Sequence, residues 1–426
     1  MSKQDGRERL VSAANADDSE TPILHVDMDS FFASVSLLDR PEDAHLPVAI
    51  GHRSGRSVVS TANYAARRYG VNAAMPMARA LQLCPSLLVI EPDFAAYRHY
   101  SGIVMNIFRE MTPMVEVLGI DEAFLDVSGA RRLLGSPSQI GHEIRRRVRE
   151  QTGLACTVGI AATKFVAKIA SGKGKPDGLL VIPKAETGAF LRPLPIRALW
   201  GVGAKTAESL ERIALRTVAD VADAPERLLV RAVGPATALK LQLLARGQDA
   251  RRVEPAVAAE KSIGHEVTFE HSISDPRAVR RELLGLSDRV AARLRAADMS
   301  AKTVAIKVRF DDFTTLSRSR TLAEPTHVAR RIFEEAADLV DALEIAGHPV
   351  RLIGVRGEQL QTGTDPRAAL WDPDEDWREA ESAIDTLRAR FGAGAIMSAA
   401  LLDRAAPAPS VPPHGIVRDH IEPYDH

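Results

Sequence analysis

The sequence predicts a multidomain protein of the α+β class, on three observations. The chain has 426 residues, which is more than one hydrophobic core usually supports, so several domains are expected. Short apolar runs typical of strands alternate with helical periodicity from Ile23 to about Ile182, and again from about Ile263 to Leu360. Between these regions, after Pro193, short Ala-rich and Leu-rich helical stretches with Gly turns predict a small all-helical domain.

Composition and charge exclude few functions by themselves. Lys and Arg total 55 against 56 for Asp and Glu, so the net charge of -1 neither favours nor opposes binding to nucleic acid. Cys84 and Cys156 lie far apart and match no disulfide or metal-ligand spacing, which is typical of a reducing cytoplasm. The polar N-terminal stretch lacks a signal-peptide core, and no apolar run of about 18 residues occurs. We therefore expect a cytoplasmic protein with no membrane partner.

The first mixed region contains the elements of one body of strands and helices. Strands are predicted at "ILHVD", "LPVAIG", "SVVST", "LLVIE", "VEVLG", "AFLDV", "CTVGI" and "GLLVI". Helices are predicted near residues 30–38, 61–69, 94–112, 137–152 and 163–171.

The remaining elements follow in order. The helical domain runs to about Arg246, and "GQDARRVEPAVAAEKS" has no period, so it is predicted to be a linker. In the second mixed region "KTVAIKVRF" and "TTLSRSRTL" predict strands, and residues 276–297 and 326–344 predict helices. Beyond Leu360 a disordered acidic tail is expected, except for one helical stripe that would pack on the body or on a partner helix. The stripe consists of Trp377, Ala380, Ile384, Leu387 and Phe391.

Two pairs of acidic residues interrupt predicted strands. Asp27 and Asp29 lie in "HVDMDSFF", and Asp121 and Glu122 lie between "VEVLG" and "AFLDV". An ionised carboxylate is costly to remove from water without a cation or strong hydrogen-bond donors. These stretches therefore need a compensating partner.

A divalent metal ion is the partner that the acids favour. If the strand ends adjoin, Asp27, Asp121 and Glu122 meet, and carboxylates with no His or Cys nearby form the all-oxygen site that Mg²⁺ or Mn²⁺ prefers. Such an ion is commonly shared with substrate phosphates, which indicates phosphoryl or nucleotidyl transfer. Each pair alone could instead be a turn or a strand-end cap. The occurrence of both pairs favours metal.

Several motifs resemble, in order, those of the Y-family translesion DNA polymerases, in the DNA polymerase IV (DinB) branch. They are "HVDMDSFFASV", "STANYAARRYGV", "GIDEAFLDV", "CTVGIAATKFVAKIASGKGKPDG" and "LWGVGAKTAESL". The resemblance covers about residues 22–360. It implies a DNA-directed DNA polymerase of low processivity that transfers dNTPs onto a primer 3′-hydroxyl, with primer-template DNA as its partner.

The resemblance also implies a right-hand layout. A ferredoxin-like palm, small fingers, a helical thumb with a helix-hairpin-helix and an α/β little finger are expected. The implied boundaries are a disordered N-terminal extension at 1–20, palm at 21–38 and 94–187, fingers at 39–93, thumb at 188–250, linker at 251–260, little finger at 261–360 and acidic C-terminal tail with one helix at 361–426.

By the same resemblance, Asp27, Asp121 and Glu122 are catalytic side chains and metal ligands. The backbone carbonyl of Met28 would be a further ligand. Two Mg²⁺ ions, which Mn²⁺ can replace, would activate the primer hydroxyl and neutralise the leaving pyrophosphate. Asp29 shares a strand face with Asp27, but capping of the following helix is its expected role.

The nucleotide would meet a further set of residues. Phe32 matches the family's steric gate, whose ring would exclude a ribose 2′-hydroxyl. Neighbouring Phe31 is also a candidate nucleotide contact, although a place in the core is the favoured alternative for it. Tyr64 and Arg67 are three residues apart and share a helix face. With Thr61 and Lys168 they would contact the triphosphate, although a solvated helix face is the alternative.

Two elements are predicted to hold DNA. The turn with Gly201 and Gly203 opens a helix before Lys205, which offers backbone N–H groups to phosphate, unless it is only a tight corner. In the second mixed region Lys307 and Arg309 share a strand face, as do Arg318 and Arg320, and the family's little finger lays its sheet on the duplex. Basic residues can also protect a sheet edge. Because acids and bases balance between 260 and 360, DNA binding requires the positive charge to lie on one face.

Two rival functions and some departures remain. A catalytically inactive polymerase-like scaffold of mutagenesis would lack the acids, and a cyclase-like nucleotidyl transferase would not need the thumb turn. Ser30, Ser36 and Gly119 differ from common family residues, which leaves fidelity and lesion choice open. We expect the protein to be a monomer that acts on the bacterial nucleoid. Binding to the sliding clamp would use Gln359-Leu360 or "RAALWD" at 367–372, of which the second is the favoured candidate.

Overall fold

The structure is a computed structural model of the chain. It describes residues 5–7, 9–13, 15–53, 55–256, 260–343, 345, 347–362, 374–392 and 394–401. The chain divides into two compact units, of which the first is formed by Met1–Val257 and the second by Ala258–Gly415. Within the described ranges, every helix is too short or too polar to cross a lipid bilayer.

The first mixed region contains the predicted strands and helices, with adjusted ends. Its strands are β1 (Ile23–Met28), β2 (Val48–Ile50), β3 (Thr61–Ala62), β4 (Leu88–Ile90), β5 (Val115–Gly119), β6 (Glu122–Asp126), β7 (Cys156–Ala161) and β8 (Leu179–Val181). Its helices are α1 (Phe31–Ser36), α2 (Tyr64–Arg67), α3 (Met77–Leu83), α4 (Phe94–Met111), α5 (Arg131–Leu134), α6 (Pro137–Thr152) and α7 (Lys164–Gly174). Pro41–Asp43 and Lys184–Glu186 form 3-10 turns.

The main sheet has the order β5-β6-β1-β7-β8 and carries the acids on its central strand. β1 is antiparallel to both β6 and β7, and β8 runs parallel to β7. Strand alternation divides the side chains of β1 between two faces. Leu24, Val26 and Met28 enter the core that α4 and α6 cover, whereas His25 faces α7, where it meets Ser171. Asp27, two residues after His25, belongs to the α7 face.

A smaller sheet lies beside the main one, with the order β3-β2-β4. Its core contains Val59, Met77 and Leu87. The helix predicted at 61–69 is reduced to α2, because residues 61 and 62 pair with β2 and the Asn63 side chain caps the helix by accepting from the Ala66 amide.

The helical region contains α8 (Thr187–Leu191), α9 (Ala204–Glu211), α10 (Val218–Asp223), α11 (Glu226–Val233) and α12 (Pro235–Ala245), with a 3-10 turn at Ile196–Ala198. Leu210, Val221 and Leu241 lie in its core. The predicted linker begins as a packed segment, since Val253 is buried and the Glu254 amide donates to the Glu116 carboxylate at 2.9 Å.

The second unit is a sheet covered by helices. It contains β9 (Ser262–Ile273), α13 (Pro276–Ala296), β10 (Met299–Phe310), β11 (Thr315–Thr326), α14 (Ala329–Asp341), β12 (Val350–Thr362) and α15 (Glu375–Phe391), with a 3-10 turn at Ala399–Leu401. The sheet order is β11-β10-β12-β9, and every pairing is antiparallel. Val304, Ile306 and Val308 of β10 pack with Leu286 of α13 and Ile332 of α14. The other sheet face is left open by these helices.

The predicted C-terminal helix exists, and its apolar stripe contacts the second unit only in part. Trp377 and Phe391 are 44% and 64% exposed, although the Arg330 guanidinium lies 4.8 Å from the centroid of the Trp377 ring. Glu381, which is 7% exposed, instead accepts hydrogen bonds from the Ala329 amide and pairs with Arg295. A polar face therefore docks α15 onto the second unit.

The described part of the N-terminal extension contacts the main sheet. The extension at 1–20 was expected to be disordered, but among its described residues the Leu10 and Ser12 amides donate to the carbonyls of Lys173 and Leu179 at 3.0 and 3.2 Å. They thus cover the β8 edge of the main sheet. Gln359-Leu360 lies inside β12, and "RAALWD" lies outside the described residues.

Candidate active site

The register of β1 and β6 brings two predicted ligands together. Asp27 and Glu122 are paired across these antiparallel strands, so their side chains are neighbours on one face. Asp121 lies in the turn before β6, where its backbone carbonyl accepts a 2.9 Å hydrogen bond from the Met28 amide. The carboxylates of Asp27 and Glu122 are close enough to Asp121 to raise its pKa. Asp27 and Glu122 are therefore adjacent, and Asp121 lies in the turn that precedes Glu122.

A lysine that sequence analysis did not single out lies among these acids. Nζ of Lys175 contacts the Asp27 carboxylate and donates a 3.0 Å hydrogen bond to the carbonyl oxygen of Met28. Burial alone would lower the pKa of this ammonium, but Asp27 and Asp29 outweigh burial and raise the pKa above its ordinary value. Lys175 therefore stays charged. Its position in "GKPDG", a turn directly before β8, was the available signal.

Glu122 is held by two further side chains. It contacts Nζ of Lys168, and its Oε2 lies 3.2 Å from Nε2 of His25. Burial would raise the pKa of Glu122, but the hydrogen bond with His25 and the charge of Lys168 outweigh burial and lower the pKa. Glu122 is therefore ionised. Lys168, predicted to contact a triphosphate, thus lies beside a predicted metal ligand.

The expectation that no His lies near the acids is wrong. His25 is fully buried, its ring lies 4.7 Å from that of Phe124, and its Nδ1 lies 2.7 Å from Oγ of Ser171. Burial lowers the pKa of His25, so the imidazole is neutral. Both ring nitrogens have protein partners, which makes His25 an orienting neighbour of Glu122. Its spacing from Asp27, two residues along a strand, was the signal for this proximity.

The charge balance of the cluster favours a divalent cation. Burial, followed by the negative charges of Asp27 and Glu122, raises the pKa of Asp121 to about 7. This repulsion is relieved when a cation joins the acids. Ligand atoms of His25, Asp27 and Glu122 lie within 4.8 Å of one another, whereas Asp121 is not a member of this group. The two carboxylates of the group suit a hard ion such as Mg²⁺.

Asp29 does not cap α1, contrary to expectation. The cap position is taken by Ser30, with φ of 42°. The buried carboxylate of Asp29 instead accepts hydrogen bonds from the Tyr64 hydroxyl and the Thr157 hydroxyl, both at 3.0 Å, and from the Asp177 amide at 2.6 Å. Burial raises the pKa of Asp29 despite these donors. Asp29 therefore joins α2, β7 and the turn that carries Lys175.

The two phenylalanines divide between core and site. Phe31 is 3% exposed and belongs to the core, in agreement with the alternative considered for it. Phe32 is only partly buried and packs on that core from outside. Its ring stacks on Tyr97.

The predicted triphosphate contacts are held in a fixed arrangement. Nε of Arg67 donates to the Ala62 carbonyl at 2.9 Å, and the guanidinium lies 4.7 Å from the Tyr64 ring centroid. The Tyr64 hydroxyl points to Asp29. Thr61 is buried and paired with Ile50 in the small sheet. Through Tyr64, the small sheet is linked to the acids of the main one.

The predicted phosphate-binding turn lies on the surface of the helical region. Gly203 precedes the first residue of α9, and Gly201 has φ of 98°, a conformation that favours glycine. Gly201, Gly203 and Lys205 are exposed, so the first-turn N–H groups of α9 face solvent. Lys240 of α12 adds a second ammonium, since its Nζ lies 3.6 Å from the site of a Cβ at Gly201. It was not singled out from sequence.

The basic residues of the second sheet lie on opposite faces, so the expected single basic face is wrong. Lys307 and Arg309 pair with Ser317 and Thr315 on the open face. Arg318 and Arg320 instead pair with Ile306 and Val304, residues of the helix-covered face. Alternation of side chains along β11 requires this division.

The environment of each pair differs accordingly. Arg320 is bonded to Glu335 and Asp338 of α14, at 2.7 and 3.2 Å. Lys307 pairs with Glu266 at 2.8 Å, and Arg356 of β12, which sequence analysis missed, lies on the same open face. The open face is therefore the better candidate for contact with DNA.

The chain matches family models over most of its described length. The impB/mucB/samB family matches residues 26–172, and the C-terminal domain of the same family matches residues 260–369. The helix-hairpin-helix motif of this family matches residues 186–213, which include the turn at Gly201 and Gly203.

The matches to curated relatives span nearly the whole length of those relatives. A DNA polymerase IV from Desulfatibacillum aliphaticivorans is 41% identical over 91% of this chain and 98% of its own length. A DNA polymerase IV from Alkalilimnicola ehrlichii is 42% identical over 82% of this chain and 98% of its own length.

Solved structures agree with these matches. A Y-family DNA polymerase chimera of Dbh and Dpo4 has a TM-score of 0.73 and 28% identity, and covers 80% of this chain and 99% of its own. An insertion ternary complex of Dbh DNA polymerase has a TM-score of 0.56 and 27% identity, with the same two coverages.

Proposed function

We infer the activity of this chain from its family: it belongs to the impB/mucB/samB family, and within it to the DNA polymerase IV branch of the Y-family polymerases. The chain is a template-directed DNA polymerase of translesion synthesis, with the right-hand fold of that family. The observation that supports the mechanism is the pairing of Asp27 with Glu122 across β1 and β6, with Asp121 in the turn before β6. A catalytically inactive scaffold would have no use for it.

We propose the following division into hand domains. The main sheet with its helices is the palm, at 21–38 and 94–187, and the small sheet at 39–93 forms the fingers. Residues 188–250 are the thumb, 251–260 the linker and 261–360 the little finger. The small sheet and the region 261–360 each have a hydrophobic cluster formed only by their own residues, which supports these two domains.

Divalent metal is the proposed cofactor, as two Mg²⁺ ions that Mn²⁺ can replace. Asp27, Asp121 and Glu122 would hold the metal with the Met28 carbonyl oxygen. When bound, the metal supplies Lewis acidity toward the primer hydroxyl and the pyrophosphate. The support is the set of hard oxygen donors and the mutual repulsion of the acids.

The lysines of the site would change partners when metal and nucleotide bind. Lys175 contacts Asp27 and the Met28 carbonyl, the same groups that would hold metal. Because a cation at these oxygens would repel the ammonium, Lys175 would turn to the phosphates of a nucleotide. Lys168 would follow the same course from Glu122, and Arg67 with Tyr64 would meet the triphosphate from the fingers.

Sugar and DNA would be recognised by separate surfaces. Phe32 would face the sugar and exclude a 2′-hydroxyl by overlap. Phosphates of the primer-template would bind the N-terminus of α9 with Lys205, and the open sheet face with Lys307, Arg309 and Arg356. We propose a monomer acting on the nucleoid, with the sliding clamp as a candidate partner of residues 367–372.

Primer extension tests this function. The purified chain should add dNTPs, directed by the template, to an annealed primer in the presence of Mg²⁺ or Mn²⁺, and EDTA should stop the addition. A cyclase-like transferase would ignore the template. A chain that leaves the primer unextended under every metal condition would contradict the proposal.

A further inference from the structure

The ring of Phe32 is supported from α4. Its centroid lies 4.3 Å from that of Tyr97 and the two planes differ by 11°, which is a stacked arrangement. Phe94 contacts both rings edge to face, at 6.0 Å from Phe32 and 5.7 Å from Tyr97. Aromatic pairs in these geometries stabilise a structure by more than the free energy expected from the area they bury. The plane of the Phe32 ring is therefore set by α4 as well as by its own helix.

Tyr97 is in turn fixed by the core and by one hydrogen bond. Its side chain is fully buried, and its hydroxyl lies 2.9 Å from Oγ of Ser36. Ser36 follows Phe32 by four residues on α1, so both lie on one face of that helix. Phe32 and its stacking partner are thus tied to the same helix.

We propose that Tyr97 is a positioning residue that determines sugar selectivity by fixing the Phe32 ring. The inference rests on the proposed function, in which Phe32 faces the nucleotide sugar. Exclusion of a 2′-hydroxyl requires a ring that cannot yield, because a ring free to tilt would relieve the overlap at little cost. Tyr97 fills the space into which the ring would tilt. It acts through Phe32 and not on the nucleotide.

The test is the ratio of kcat/KM for a deoxynucleotide to kcat/KM for the matching ribonucleotide, in single insertions with Mg²⁺. Tyr97→Leu removes the stacked ring, and we expect the ratio to fall about fivefold or more. This is the fold-change that corresponds to the interaction free energy of one aromatic pair. Tyr97→Phe keeps the ring and loses the hydroxyl, so the fall should be about twofold and matched by Ser36→Ala. Insertion of the deoxynucleotide should change less than insertion of the ribonucleotide.

A control and a double variant separate positioning from general damage. Tyr100→Leu alters a partly buried tyrosine of the same helix that contacts His99, and it should leave the ratio unchanged. In a Phe32→Leu background, Tyr97→Leu should cause no further fall, because its effect passes through the ring already removed. A merely structural role would lower both insertions equally in either background.

Different results would contradict the role of Tyr97 and the proposed polymerase function. A folded Tyr97→Leu protein with the wild-type ratio would overturn the role of Tyr97. If thermal unfolding shows that Tyr97→Leu does not fold, wild-type ratios in both Tyr97→Phe and Ser36→Ala would overturn it. Failure of the wild type to insert deoxynucleotides would instead refute the proposed function, and an unchanged ratio in Phe32→Leu would refute the gate.

Discussion

Nζ of Lys175 lies 3.0 Å from the backbone carbonyl oxygen of Met28 and contacts the Asp27 carboxylate. A buried ammonium thus neutralises part of the acidic cluster when metal is absent. The protein thus supplies its own cation to these acids, and under the proposed function a divalent ion would displace it.

Replacement of this lysine should make folding depend on metal. Lys175→Met leaves buried acids without their partner, so the free energy of unfolding in EDTA should fall by about 3 to 5 kcal/mol. Mn²⁺ should recover more stability in this variant than it adds to the wild type, since it supplies the missing charge. Thermal unfolding with and without Mn²⁺ measures both effects.

Lys164→Met is a matched control for that experiment. Lys164 is also buried, but it pairs with Glu116 and the Arg252 carbonyl and not with the metal-site acids. Its replacement should lower stability with no gain in the effect of Mn²⁺. Equal recovery by Mn²⁺ in the two lysine variants would be inconsistent with a cation-substituting role for Lys175.

The N-terminal segment should be anchored in a pH-dependent way. Burial raises the pKa of Asp18, but hydrogen bonds from Ser136 at 2.7 Å and the Ser138 amide at 2.8 Å outweigh burial and lower it. Asp18 therefore adds stability above its ordinary pKa, and this stability is lost as pH falls through the lowered pKa of the folded state.

Asp18→Asn measures that contribution. The variant should be less stable than the wild type at neutral pH, and the difference should shrink when unfolding is measured at about pH 3. Urea unfolding of both proteins at both pH values measures this difference in stability. A difference that grows on acidification would show that the carboxylate is not stabilised in the folded state.

DNA affinity should depend on one face of the little-finger sheet. Arg309→Ala should weaken binding of a primer-template and reduce the slope of log Kd against log salt by about one, because one phosphate contact is lost. Arg320→Ala should leave both quantities nearly unchanged, since Arg320 is bonded to Glu335 and Asp338 on the opposite face. Fluorescence anisotropy across a salt series compares them. Equal losses in the two variants would contradict the assignment of the open face.

The C-terminal helix should detach when its polar anchor is removed. Glu381→Ala takes away the partner of the Ala329 amide and of Arg295, so α15 should lose protection from hydrogen exchange. Phe391→Ala, on the exposed stripe, should keep that protection. Retained protection in Glu381→Ala would show that other contacts hold the helix.

The sequence was sufficient to predict that Asp27 and Glu122 are neighbours, because each carboxylate interrupts an apolar strand pattern. Asp27 and Glu122 belong to apolar runs with period two, so strand, face and neighbour could all be inferred. Long helices such as α6, which begins with Pro137 after a capping Ser136, were equally clear from local signals.

Other features depended on tertiary partners that no local pattern reveals. Arg318 and Arg320 carry the same charge as Lys307, and only the strand register places them on another face. Asp29 looked like a helix cap, but Tyr64 and Thr157, distant in sequence, claim its carboxylate. Lys175 was hidden in a turn whose contact with Asp27 requires the folded sheet.

Extension of an annealed primer by Asp121→Asn tests the metal-centred palm most directly. Asp126→Asn, at the other end of β6, is the matched control, and fluorescence anisotropy confirms that both variants still bind DNA. We expect Asp126→Asn to extend the primer like the wild type and Asp121→Asn to extend it more than about 100-fold more slowly. Loss of a residue that only orients a metal ligand already lowers activity by about 10- to 100-fold, and loss of a ligand should lower it further. Extension by Asp121→Asn at the wild-type rate would contradict the assignment of these acids to the catalytic metal.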